Sequence, residues 1–184
     1  MNEFRNILLV SGSGRDCGKT TVACDIIQHL GKNGIVFGLK ITPHFHRTGD
    51  GQQIVESGPN YKIFRETDLS SGKDSSRMLV AGAKEVYFVQ CTDEKLMEVG
   101  EKLKQIVPVG YPIVYESGSF ANFYKPGLHL LVYGSNADET KKSYKLNLKK
   151  AELIISSDEF ISSNLSANIS FSDVQWTLNK NDHD

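Results

Sequence analysis

The stretch VSGSGRDCGKTTVACDIIQHL, Val10 to Leu30, constrains this chain more than any other. An apolar run, RNILLV, leads into a loop of small residues, after which Val22, Ala23, Ile26, Ile27 and Leu30 recur with helical period. Gly31 and Gly34 punctuate the end of that helix. A strand, a small-residue loop and a helix in succession let backbone N–H groups turn inward around an anion. The helix N-terminus adds its partial positive charge to the same concavity. The loop reads Gly12-x5-Gly18-Lys19-Thr20 with an extra glycine at Gly14, whereas the strict phosphate-loop pattern would have glycine where Ser13 stands. The shift leaves the anion-binding logic intact. The expected ligand-contacting segment therefore comprises Gly12, Ser13 and Gly14, then Arg15, Asp16 and Cys17, then Gly18 to Thr21. Within it Lys19 reaches the β- and γ-phosphates, the Thr20 hydroxyl ligates magnesium, and Thr21 follows in the first helical turn. Cys17 reads as a small filler. The plain alternative is a glycine-rich turn with an exposed lysine, and the flanking strand and helix favour the phosphate reading.

The rest of the chain repeats the opening unit. IVFGLKI, EVYFVQ, PIVYES, LHLLVY and ELIISS are short apolar runs suited to buried strands. Between them lie amphipathic segments: one capped by Asp74 or Ser75 and running through Ala81, one starting after Thr92 with Leu96, Val99, Leu103 and Ile106 on a single face, and a lysine-rich one around Lys141 to Lys150. This alternation predicts an α/β fold with a mostly parallel central sheet flanked by helices. Pro43 to Lys73 is too long for an ordinary connection and is expected to be an inserted hairpin or functional loop, with YKIF as β-structure inside it. Residues 1–160 form the expected nucleotide-binding domain, and 161–184 a C-terminal extension, partly flexible, ending in the polar NKNDHD.

Composition narrows the function classes. With 39% hydrophobic and 23% charged residues the chain is ordinary globular material rather than a disordered one. A net charge of −1 gives no basic excess to neutralise a nucleic-acid backbone, so nucleic acid is not an expected partner. No segment approaches bilayer length, and ILLV is too short for a signal-peptide core, so no membrane partner is expected. Three cysteines without paired spacing suit a reduced, cytoplasmic protein.

A phosphoryl-handling site also needs an acidic group for magnesium at the end of a neighbouring strand. Glu116 ends PIVYE and is followed by Ser117 and Gly118, which puts its carboxylate at the carboxyl edge of the sheet, where open α/β folds bind ligands. Asp50, Asp68 and Asp74 in or beside the long middle region are all candidates for a second magnesium-side carboxylate. Asp74 has the competing reading of a helix cap, and Lys73 and Arg77 that of solvated charges. His44 and His46, two apart after a strand, lack a third ligand at metal spacing. The guanine-reading sequence Asn-Lys-x-Asp does not occur. Asp158 after the last strand is either a base contact or a cap.

VSGSGRDCGKTTVA followed by GLKITP resembles dethiobiotin synthetase and its relatives among the P-loop NTPases, whose phosphate loop carries the same one-residue extension. The resemblance implies that Lys40, at the end of the second strand, faces the reacting phosphate. ETDLSSGKDSSRMLVAGAKEV is similar to a Gly-Lys-Asp-Ser-x-Arg…Ala-Gly-Ala segment of the molybdopterin-guanine dinucleotide biosynthesis adaptor proteins, a GTP-binding P-loop family. PIVYESGSF is similar to the Glu-Gly strand end that both families set opposite the phosphate loop. These matches touch about the first two-thirds of the chain. The adaptor resemblance favours Asp68 as the second metal-side carboxylate and gives the histidines after Lys40 a role in ligand contact. It implies a Mg2+-dependent protein binding GTP or ATP, with Lys19, Lys40 and Glu116 as catalytic residues, slow or partner-stimulated hydrolysis, a homodimer, and a partner enzyme of molybdenum cofactor biosynthesis. The alternatives are a ligase or small-molecule kinase like dethiobiotin synthetase and a non-catalytic nucleotide switch. Ser13 and ESGSF depart from the family patterns and leave the last of these open.

Overall fold

The computed structural model describes residues 2–46, 51–135 and 141–179. In chain order its elements are β1 (Asn2–Gly12), α1 (Lys19–Gly31), β2 (Phe37–Thr42), β3 (Gln52–Gly58), β4 (Tyr61–Glu66), α2 (Asp74–Val80), β5 (Val86–Cys91), α3 (Leu96–Ile106), β6 (Ile113–Glu116), β7 (Tyr124–Tyr133), α4 (Lys142–Leu148), β8 (Leu153–Ser156), α5 (Ser157–Ser162), β9 (Ile169–Ser172) and β10 (Gln175–Leu178). The chain is α/β, with a large, mostly parallel central sheet flanked by helices. Eight strands lie in the order β3-β4-β5-β2-β6-β1-β7-β8, and the six from β5 to β8 run parallel.

The apolar runs become these six strands because a parallel sheet covered on both faces must be apolar on both. Alternation then divides each run between two cores. Ile7 and Leu9 of β1, Phe37, Leu39 and Ile41 of β2, and Ile113 and Tyr115 of β6 pack beneath α3. Leu8, Val10 and Val114 face the opposite way, onto Val22, Ala23, Ile26 and Ile27 of α1 and Met78 of α2. Lys40 and Glu116 share parity with this second set. The period of two sends both to the face covered by α1 and α2.

The long middle region resolves in part into a hairpin. β3 pairs antiparallel with β4, and β4 with β5, so the insertion extends the sheet at one edge. Its inner strand buries Tyr61, Ile63, Phe64 and Glu66, whereas β3 is mostly exposed. Asp50 lies outside the described residues. Thr92 precedes a 3-10 turn, Asp93–Lys95, that leads into α3.

Residues 161–179, expected as an extension of the domain, share its core. β9 and β10 form a hairpin whose turn residues, Asp173 and Val174, both adopt left-handed conformations (φ 50° and 59°) that suit a tight two-residue connection. Ile169 and Trp176 from this hairpin lie in the same apolar cluster as α1. Of the NKNDHD tail expected to be flexible, Asn179 N–H donates to Asn168 O at 2.9 Å, and 180–184 lie outside the described residues. Among the described residues no helix is long and apolar enough to cross a membrane.

Candidate functional site

β1, β2 and β6 deliver their carboxyl ends side by side, with β6 in the middle. Glu116 is the cross-strand partner of Val10 on one side and of Lys40 on the other. Register and parity therefore bring the Lys40 and Glu116 side chains together, 76 residues apart in sequence, and they form an ion pair. Glu116 is 1% exposed, so its carboxylate needs partners. It has two: the Lys40 ammonium on Oε1 and the Thr20 hydroxyl, which donates to Oε2 at 2.8 Å. Thr20 belongs to the first turn of α1, directly after the glycine loop.

The structure brings a second carboxylate to this point, and it is Asp74 rather than the expected Asp68. Asp74 Oδ2 lies 2.7 Å from Lys40 Nζ. It is the first residue of α2, whose N-cap position is Lys73. Asp68 instead closes its own loop, accepting from Ser70 N–H at 2.7 Å, Ser70 Oγ at 2.9 Å and Ser71 N–H at 3.1 Å. Those bonds all fall on Oδ1 and hold the carboxylate to a turn of the chain, and Asp68 does not line the cleft in which Asp74 lies. Burial of Asp74 opposes its charge, but the Lys40 ammonium beside it holds its pKa below the usual carboxylate range. Burial likewise disfavours the Lys40 ammonium, and the Glu116 and Asp74 charges outweigh it, so its pKa is raised.

The loop between β1 and α1 divides into residues that anchor and residues that face the cleft. Ser13 N–H donates to Val132 O at 3.0 Å, and Ser13 Oγ accepts from Gly134 N–H at 3.1 Å, which ties the loop to the end of β7. Cys17 is buried, its Sγ 3.4 Å from Gly14 O, so the filler reading describes it. Gly12, Gly14, Arg15, Asp16, Gly18, Lys19, Thr20 and Thr21 line the cleft. Glycine is required twice here. A Cβ on Gly12 would lie 2.5 Å from Cys17 Sγ and 2.7 Å from Lys19 Cδ. Gly18 has φ 91° and would collide with Ser157 at the start of α5. Lys19 Nζ donates to Gly14 O at 2.6 Å, curled over its own loop.

The cleft, about 960 Å³, continues from the loop past Lys40 to Thr42, His44, His46 and Gln52. The His44 and His46 rings are 6.1 Å apart and exposed. Among the described residues no three His, Cys, Asp or Glu side chains group to hold a metal ion. Thr20, Glu116 and Asp74 supply three hard oxygen donors, the kind of incomplete set that suits magnesium, which keeps waters and substrate oxygens in its shell. Lys73 and Arg77 line the same cleft, with Arg77 also donating to Thr21 Oγ1 at 3.3 Å. Asp158 is exposed in the first turn of α5, where Ser156, not Asp158, caps the helix by accepting from Glu159 N–H. Sequence reasoning left Asp74 between a magnesium-side carboxylate and a helix cap, and did not foresee Ser157 behind Gly18, because both contacts are made by separate elements converging. No family model matches this chain, and searches of curated proteins and of solved structures find no match to it.

Proposed function

We propose that the chain is a magnesium-dependent nucleoside triphosphate-binding protein, taking GTP or ATP, with slow or partner-stimulated hydrolysis. The observation that carries this reading is the convergence of Thr20, Lys40, Asp74 and Glu116 at the mouth of a glycine loop whose Gly12 and Gly18 positions exclude a side chain. In this reading the backbone N–H groups of the loop and the start of α1 hold the phosphates. Lys19 exchanges its bond to Gly14 O for the β- and γ-phosphates. Thr20, Glu116 and Asp74 would hold the magnesium ion, which when bound neutralises phosphate charge. Lys40 stabilises charge on the γ-phosphate, and its position between two carboxylates keeps it protonated for that task. The resemblance of the loop and the GKDSSR segment supports an accessory role in molybdenum cofactor biosynthesis, as a homodimer serving an enzyme of that assembly. One observation favours a second reading, an ATP-dependent ligase or small-molecule kinase like dethiobiotin synthetase: the cleft runs on past Lys40 and leaves room for an acceptor.

Calorimetric titration of GTP and ATP, with and without Mg2+, against the wild type and Lys19→Ala tests the reading. Charge-assisted hydrogen bonds are worth roughly 1.5–3 kcal/mol each, so Lys19→Ala is expected to weaken binding about tenfold to a hundredfold. Absence of binding by the wild type to either nucleotide at millimolar concentration would overturn it. Adding dethiobiotin precursor or molybdopterin-guanine synthesis components then separates kinase from adaptor.

A further inference from the structure

Lys40 does more in this site than face an incoming phosphate. Its ammonium sits between Glu116 Oε1 and Asp74 Oδ2, two of the oxygens that would hold the metal ion, while Thr20 occupies Glu116 Oε2. Glu116 is buried, and a buried carboxylate needs a counter-charge at all times, not only when ligand is bound. A divalent ion held by those oxygens would lie close to the ammonium, and the repulsion between the two cations makes each disfavour the other there. An arriving γ-phosphate offers Lys40 an alternative anionic partner. Lys19 is arranged in the same manner, its ammonium held by Gly14 O within the loop until phosphate replaces it.

We propose that Lys40 is the resident cation of the divalent site: it occupies Glu116 and Asp74 before ligand arrives, excludes free metal ion, and surrenders both carboxylates only when nucleotide phosphate takes its charge. Metal and nucleotide then bind with positive coupling, each favouring the state in which Lys40 has left the carboxylates. This inference rests on the nucleotide reading above, and it makes Lys40 a positioning residue for the metal as well as a phosphate contact.

The test uses Mn2+ as the probe, with free ion measured by electron paramagnetic resonance at pH 7.5 on the full chain. The wild type is expected to bind Mn2+ weakly alone and more tightly when a non-hydrolysable GTP or ATP analogue is added. Lys40→Met, which keeps an unbranched stem and removes the charge, is expected to bind Mn2+ alone about tenfold more tightly or better. Lys40→Arg retains the charge and the weak metal-alone binding. Adding Asp74→Asn to Lys40→Met removes the gain. Wild type that binds Mn2+ alone as tightly as Lys40→Met overturns the proposal. Because Lys40→Met leaves Glu116 unpaired, its thermal midpoint is followed as well: a midpoint raised by Mn2+ more than that of the wild type supports the exchange, and a variant unfolded with and without Mn2+ overturns it. The metal-alone comparison contains no nucleotide, so failure of the wild type to bind nucleotide condemns the nucleotide reading separately.

Discussion

His129 shows how far a single side chain here departs from its behaviour in water. It sits on β7 opposite Leu9, 1% exposed, with Nε2 2.8 Å from Ser11 Oγ. Burial, reinforced by the nearby Lys150 charge, pushes its pKa down to about 4. In the unfolded chain the imidazole titrates near 6.5, so that chain takes up the proton first as pH falls. The stability tied to the neutral imidazole is complete above about pH 6.5 and lost progressively toward pH 4, up to roughly 3 kcal/mol in total. Urea denaturation at pH 7, 6 and 5 is expected to show the wild type weakening across this window and His129→Gln weakening much less; parallel slopes would refute a buried neutral histidine. The candidate site divides by the same distinction between local and imposed environment. Gly12 to Thr21 were legible because they are contiguous and their spacing carries its own geometry. Choosing Asp74 over Asp68 was not, since it requires knowing that α2 brings Asp74 to Lys40 while Asp68 Oδ1 is held by Ser70 and Ser71.

Asp74 owes its place to the packing of α2 against the inserted hairpin, and one residue joins the two. Glu66, at the end of β4 and 3% exposed, accepts from Ser75 Oγ at 2.6 Å, Gln52 Nε2 at 2.9 Å, Asp68 N–H at 3.0 Å and Thr67 N–H at 3.1 Å. Ser75 is the neighbour of Asp74, so this carboxylate fixes the start of the helix. Glu66→Ala would leave the buried Ser75 hydroxyl without its acceptor and remove three further hydrogen bonds, and a loss of about 2–4 kcal/mol in chemical denaturation is expected, together with weaker Mn2+ binding in the presence of nucleotide. Unchanged metal affinity would mean that α2 holds Asp74 without the hairpin. The six parallel strands were readable as apolar runs, because burial on both faces leaves that signature. The hairpin could only be read as hairpin or loop, since β3 is an edge strand with little buried surface to pattern it.

The two cores on either side of the sheet are closed by segments far apart in the chain. The β9–β10 hairpin adds Ile169 and Trp176 to the cluster around α1, and Trp176 stacks at a tilt on Phe171 with ring centroids 5.0 Å apart. Trp176→Ala is expected to destabilise the whole domain by about 3–5 kcal/mol in a circular-dichroism melt or urea titration. A change below about 0.5 kcal/mol would show the hairpin to be an appendage. Its strands are four residues each with mostly polar outer positions, too short for alternation to announce them. By itself the amino-acid order determined the α/β alternation and the glycine loop, and it made Lys19, Thr20 and Glu116 candidates, because each follows from local periodicity or from a motif; Lys40 entered as a candidate only through the family resemblance. Only the tertiary structure decided that Asp74 joins them, that Lys40 bridges two carboxylates, and that residues 165–178 complete the core. Those facts depend on which elements meet, and strand register and helix packing across long sequence separations leave no local mark.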